Sequence, residues 1–129
     1  MKIYVLGNQL LDNDSLPLQM VDDLKKEFPN IDFVVVDPNE NFPPVGEKDL
    51  IIIDTVINIK EPLLLDLNDI EGLKRTPISP HDYDLLFHLL LLKKLRRINK
   101  VVIIGIPSNR NKKHLPMTVE LLRTYLGLY

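Results

Sequence analysis

The sequence LIIID, residues 50–54, is the clearest buried strand of this chain and decides its fold class. Its apolar residues run without alternation, which is typical of a strand covered on both faces of a parallel sheet. Similar runs, KIYVL at 2–6, IDFVVV at 31–36 and KVVIIGI at 100–106, predict three more strands. LLLDL at 63–67 is predicted to be a short edge strand.

Helical patterns lie between these strands. Residues 14–28 repeat apolar positions at helical spacing, and Pro29-Asn30 follows as a stop signal. Two further helices are predicted at about 80–98 and at roughly 116–127. Alternating strands and helices predict an α/β fold, a three-layer α/β/α sandwich with a mostly parallel twisted sheet of about five strands. The length of 129 residues fits a single domain, residues 1–129.

Composition excludes several classes of function. The net charge of −2 offers no basic face for nucleic acid. No apolar run approaches the roughly 18 residues of a membrane span, and the N-terminal MKIYVLGNQ predicts a strand rather than a signal peptide. We therefore expect a cytoplasmic protein without membrane insertion. Because cysteine is absent, a metal would have to be held by His, Asp, Glu or backbone oxygen.

Polar residues that could carry chemistry follow the predicted strands. In sheets of this kind ligands bind outside the carboxyl ends of the strands. Asp12 and Asp14 follow the first strand, Asp54 ends the third, and His81 precedes the long helix. Asp54 could instead bond to loop amides. One aspartate of the first pair could cap the helix that follows, but a cap does not need both.

His81 stands in SPHD, residues 79–82, at the start of the long helix. Ser79 can be the N-cap and Asp82 can complete a capping box, with Pro80 at the first helical position. His81 is then not needed for capping, and the helix N-terminus favours its neutral, metal-binding form. Two carboxylates and one imidazole match a three-ligand site with open positions. The imidazole favours zinc, nickel or iron over magnesium or calcium.

The other histidines give weaker signals. His88 is predicted to pack within the long helix as a partly buried residue. His114 belongs to NRNKKHLP, residues 109–116, a basic loop that is either solvated or available to an acidic partner. The run KKLRR at 93–97 is expected in the last turns of its helix, where cations favour the helix dipole, and it is given no function.

Four segments carry a resemblance that spans most of the chain: LGNQLLDND at 6–14, LIIIDTV at 50–56, SPHD at 79–82 and VVIIGIP at 101–107. Here the sequence resembles the hydrogenase maturation endopeptidases, which trim the C-terminal extension from the large subunit of nickel–iron hydrogenases. The resemblance implies that the chain is a protease of this class. It also implies that the large-subunit precursor is its partner.

The resemblance assigns roles to four residues. By position, Asp14, Asp54 and His81 would be the metal ligands, and they would recognise nickel already loaded in the precursor. Asp37, after the second strand, matches an acidic residue near the site, and Asp14 and Asp37 are the candidate catalytic residues. The nickel belongs to the substrate, although zinc or cadmium could take its place in crystals.

Other classes of function are alternatives to the protease. The chain could be a non-catalytic, metal-dependent binder or chaperone of the precursor. A second alternative is a receiver-type phosphoacceptor, which would carry its phosphate on Asp54. That fold requires acidic residues directly after the first strand, where this chain has Gly7-Asn8. A dinucleotide-binding module is weaker still, because GNQLLDND has one glycine where the fingerprint needs three.

Overall fold

The computed structural model of the chain describes residues 1–6, 16–36, 42–56, 59–67, 83–109 and 111–127. Within these ranges the strands are β1 (Lys2–Leu6), β2 (Asp32–Val36), β3 (Asp49–Val56), β4 (Leu63–Asp66) and β5 (Lys100–Pro107). The helices there are α1 (Leu16–Glu27), α2 (Tyr83–Lys94) and α3 (His114–Leu126).

One five-stranded sheet forms the centre of the molecule, in the order β2-β1-β3-β5-β4. The pairs among β2, β1, β3 and β5 are parallel, and β4 lies antiparallel to β5 at one edge. The predicted mostly parallel sheet and the short edge strand are thereby confirmed. The strand order turns at β1, because β2 lies on one side of it and β3 on the other. This reversal is the switch point where sheets of this type bind ligands.

Helices cover both faces of the sheet, which confirms the three-layer architecture. Successive side chains of a strand point to opposite faces, and each face has its own buried cluster. The first cluster joins the sheet to α2 and includes Tyr4, Leu50, Ile52, Leu89 and Ile103. The second joins the sheet to α1 and α3 and includes Ile3, Leu24, Ile53, Ile106 and Leu122. No helix in the described ranges is long and apolar enough to cross a bilayer.

The long helix ends earlier than the periodicity predicts. It stops at Lys94, so the last three residues of KKLRR lie beyond it. Arg96 adopts a left-handed φ of 60°. Its N–H donates to the Lys93 carbonyl at 3.0 Å, and the Arg97 N–H donates to the Leu92 carbonyl at 2.9 Å. This pair of bonds is a Schellman motif, which satisfies the last carbonyls of a helix and ends it.

The prediction that His88 is partly buried is wrong. His88 is exposed on α2, as is Leu91, whose exposed fraction is 53%. The core-facing position is Leu89, which is 1% exposed. Because α2 is apolar on nearly all sides, its sequence does not show which side faces the sheet. Tertiary packing makes that choice.

Candidate functional site

Asp54 is a buried carboxylate near the carboxyl end of β3. Its exposed fraction is 5%, and its Oδ1 accepts a hydrogen bond of 2.8 Å from the backbone N–H of Thr55. The strand continues past it to Val56. Asp54 therefore lies two residues inside the strand, and the prediction that it closes the strand is wrong. By strand alternation it shares a face with Ile52, the face that α2 covers.

Asp54 also lies beside the switch point of the sheet. The last register pair between β1 and β3 is Val5 with Ile53, and Ile53 directly precedes Asp54. Leu6, the last residue of β1, thus reaches the same edge as Asp54. A buried carboxylate needs compensating partners, so its position beside the ligand-binding crevice of the fold makes it the centre of the candidate site.

The N-terminus of α2 points toward this edge. The segment 95–99 joins α2 to the first residue of β5 at the amino edge, and the Asn99 N–H donates to the Lys48 carbonyl at 2.7 Å just before β3. The 12 residues of α2 span about 18 Å. Tyr83, where α2 begins, therefore lies toward the carboxyl edge on the same face of the sheet as Asp54.

The remaining predicted site residues, Asp12, Asp14, Asp37 and His81, lie outside the described residues. So does the capping segment SPHD before α2. Among the residues that the structure describes, no group of three acidic or imidazole side chains could hold a metal. Of the predicted ligands Asp14, Asp54 and His81, only Asp54 lies among the described residues. The three-ligand site therefore remains a prediction.

Gly105 faces Asp54 across the sheet and allows close packing there. The two residues are register partners in the parallel β3–β5 pair. A Cβ atom at position 105 would lie 2.5 Å from Cγ2 of Val56 and 3.0 Å from its Cβ. The absence of a side chain at Gly105 therefore lets Val56 pack against the β5 backbone directly after the buried carboxylate.

His114 is a buried residue, although its sequence context predicts a basic loop. It is instead the first residue of α3 and is 5% exposed. Its Nε2 lies 3.0 Å from both the backbone carbonyl and the side-chain Oδ1 of Asn109. A carbonyl oxygen only accepts, so Nε2 carries the hydrogen and donates it. In the neutral ring Nδ1 is then a lone-pair acceptor, and it has no partner within the described part of the chain.

A cavity of about 540 Å³ opens beside His114 at the carboxyl edge of β5. It lies between the starts of α1 and α3, on the face opposite α2. Its walls are Gln19, Met20, Ile106, Asn111, Lys112, His114 and Leu115. The sequence holds one signal for it, a histidine within a polar run that directly follows a buried strand.

The structure is similar to three solved structures. The [NiFe] hydrogenase maturation protease HybD from Thermococcus kodakarensis is 22% identical, with a TM-score of 0.67 over 97% of this chain and 99% of that one. The hydrogenase maturating endopeptidase HybD from E. coli is 20% identical, with a TM-score of 0.62 over 98% and 90%. An uncharacterized protein from Wolinella succinogenes is 14% identical, with a TM-score of 0.56 over 98% and 96%.

Neither a protein-family model nor a curated protein matches the sequence. The likeness is therefore one of tertiary structure, at sequence identities of 14% to 22%. It extends over nearly the whole chain in both HybD comparisons. This chain has the fold of the HybD hydrogenase maturation proteases.

Proposed function

We propose that this protein is an endopeptidase that removes the C-terminal extension of a nickel–iron hydrogenase large-subunit precursor in the cytoplasm. The observation that carries the proposal is the buried carboxylate of Asp54 at the switch point of a HybD-like fold. Two neighbours with this fold are named as hydrogenase maturation proteases. A carboxylate kept at the ligand edge, despite the cost of burying it, favours a functional role over a structural one.

In the proposed site Asp14 and His81 join Asp54 to recognise the nickel of the precursor. Leu6 ends β1 at the edge where Asp54 lies, and Asp14 follows eight residues later in the chain. Tyr83 begins α2 on the same face, and His81 precedes it by two residues. Two carboxylates with one imidazole form a donor set that suits nickel. The nickel is part of the substrate and would report that its assembly is complete.

The reaction adds one water across the scissile amide. The C–N bond breaks, a carboxylate remains on the large subunit, and the departing tail gains an amine and its proton. Asp37 and Asp14 are the candidates for moving that proton, since general acid–base catalysis needs a carboxyl group within hydrogen-bond reach. The nickel-bound end of the precursor would hold the scissile region in place.

Processing of nickel-loaded precursor tests the proposal. Incubation with this protein should shorten the large subunit, which is measured by intact mass. Asp54→Asn should abolish the shortening because the amide lacks the negative charge of the carboxylate. Asp49→Asn is the matched control, because Asp49 lies on the same strand at the opposite edge and is exposed. It should process at the wild-type rate.

The other outcomes separate the alternatives. Tight binding of the precursor without any change in its mass would replace the protease with a non-catalytic binder or chaperone. Labelling of Asp54 by a small phosphodonor would favour the receiver. The exposed fraction of 5% at Asp54 and the antiparallel β4 next to β5 argue against that outcome.

A further inference from the structure

A second binding site is suggested by the cavity beside His114, which lies on the opposite face of the sheet from Asp54. Thr55 of β3 is the register partner of Ile106, and Ile106 lines the cavity. Thr55 is also the residue whose N–H holds the Asp54 carboxylate. The cavity and the candidate site thus lie at the same edge of the sheet, on its two opposite faces.

Three features define the chemistry of the cavity. Its volume of about 540 Å³ falls in the range of ligand sites. Met20, Ile106 and Leu115 supply apolar walls, while Lys112 is an exposed cation at the rim. No acidic side chain lines it within the part of the chain that the structure describes. An apolar group with a negatively charged neighbour is complementary to these walls.

His114 has a buried ring nitrogen that lacks a hydrogen-bond partner among the described residues. Its Nε2 is committed to Asn109, and its Nδ1 is a buried polar atom without a partner among the described residues. A buried acceptor without a hydrogen bond destabilises the folded protein. A ligand N–H would remove this destabilisation if the imidazole turned Nδ1, which is itself enclosed, toward the cavity that His114 lines. The helix N-terminus itself offers little, because Asn111 already accepts from the N–H groups of Lys113 and His114.

We propose that this cavity binds an extended peptide segment, with an apolar side chain between Met20 and Leu115, a main-chain N–H donated to His114, and an acidic neighbour beside Lys112. A peptide carries all three groups within two residues, and it can continue over the sheet edge toward Asp54. The assignment of this peptide to the hydrogenase precursor rests on the proposed function. The binding of the peptide does not.

Blocked dipeptides test the site on the ¹⁵N-labelled full chain by NMR. N-acetyl-Leu-Asp-amide should bind with the millimolar affinity of a small fragment. It should shift the amide signals of cavity residues and the Nδ1 signal of His114. N-acetyl-Leu-Lys-amide should bind about threefold more weakly, because it lacks the carboxylate that pairs with the exposed Lys112, and an exposed ion pair adds little affinity.

A matched pair of variants on α3 provides the control. Leu115→Phe fills the cavity and should weaken binding about tenfold. Leu121→Phe makes the same change at another half-buried position of α3 that does not line the cavity, and it should bind like the wild type. Thermal melting of both variants confirms that they fold.

Each contrary result overturns a stated part of the proposal. Absent shifts, or unchanged binding by a folded Leu115→Phe, would remove the site. If isobutanol bound as tightly as the dipeptides, the cavity would be a site for small apolar molecules and not for a peptide. If the two dipeptides bound equally, the proposed acidic residue beside Lys112 would be refuted. Asp54→Asn should still bind the dipeptide, so dipeptide binding without precursor processing would refute only the proposed function.

With precursor as substrate, Leu115→Phe should raise KM with little change in kcat, since the cavity contacts the peptide away from the scissile bond. An unchanged KM, together with dipeptide binding, would show that the peptide bound here does not come from the precursor.

Discussion

Asp54 of β3 lies directly opposite Gly105 of β5 in the parallel register of the sheet. Val56 packs so closely against the backbone at Gly105 that a Cβ atom there would be 2.5 Å from Val56 Cγ2. Asp54 and Val56 share one face of β3, because strand side chains alternate. The missing side chain at Gly105 thus leaves room for Val56 on the face of the sheet where the buried carboxylate lies.

Gly105→Ala should lower the free energy of unfolding by about 1–3 kcal/mol, the usual cost of overpacking a core. Urea denaturation measures the loss. Val56→Ala in the same chain should relieve the contact, so the double variant should lose less stability than the sum of the two single variants. Additive losses would show that the close contact with Val56 is not what excludes a side chain at position 105.

Tyr4 should make stability fall at alkaline pH. Its hydroxyl donates a hydrogen bond to Glu47. The pKa of Tyr4 is raised above its ordinary value of 10.0, chiefly by burial. The hydrogen bond to Glu47, the charge of Glu47 and the charge of Asp32 raise it further, in that order. Because the pKa is higher in the folded protein than in the unfolded chain, the stabilisation by the protonated Tyr4 hydroxyl is fully present below the unfolded pKa. It is lost as the pH rises through the folded pKa.

The difference in unfolding free energy between the wild type and Tyr4→Phe isolates this contribution. At neutral pH the variant should be less stable by about 1–3 kcal/mol, since Glu47 loses its partner. Above about pH 10 that difference should shrink, because the Tyr4 hydroxyl of the wild type then ionises in the unfolded chain and stabilises it. The variant has no hydroxyl there to ionise. Urea midpoints from about pH 8 to about pH 11 measure it. A difference that stays constant over this range would contradict the raised pKa.

Arg96→Gly should stabilise the protein. Arg96 has a φ of 60°, in the left-handed region where glycine is free of the steric cost of a Cβ atom. The net gain should be about 0.5–1 kcal/mol, after the entropic cost of glycine. The melting temperature should rise accordingly. Arg97→Gly removes the same charge one residue later, where φ is not positive. It should leave the protein no more stable, and equal gains from both variants would point to charge instead.

Gly127→Ala should have the opposite effect at the end of α3. Gly127 has a φ of 70°, and its N–H reaches the carbonyls of Arg123 and Thr124. Among the described residues, no atom other than those of its chain neighbours and of the backbone of α3 would lie within 4 Å of a Cβ atom at position 127. Any loss of stability would therefore come from backbone strain alone, and we expect about 1 kcal/mol by denaturation. Unchanged stability would mean that the helix end relaxes without cost.

His81→Ala should abolish processing of the precursor and cost little stability. The expectation follows from the sequence, where Ser79 and Asp82 are sufficient to cap the helix. A processing assay and a thermal melt on the same preparation measure the two effects. A large fall in melting temperature would make His81 a structural residue. Unimpaired processing would remove it from the proposed nickel-recognition site.

Local patterns along the chain were sufficient to predict the sheet and its layers. Uninterrupted apolar runs such as LIIID report strands buried on both faces, and helical spacing between them reports the crossovers. The position of Asp54 at the ligand edge followed from that topology, with an error of two residues because Thr55 and Val56 extend the strand. These features depend on near neighbours in the chain, which is why they could be predicted.

Burial of single polar residues and the ends of helices depend on contacts between distant parts of the chain. His114 stands in a run of polar residues, yet it is 5% exposed and its ring donates a hydrogen bond to Asn109. His88 stands among leucines, yet α2 turns it toward solvent. Sequence by itself determined which segments form the sheet, because periodicity records average burial. Only the tertiary structure decided which imidazole is enclosed, since that depends on how helices far apart in sequence pack around one edge of the sheet.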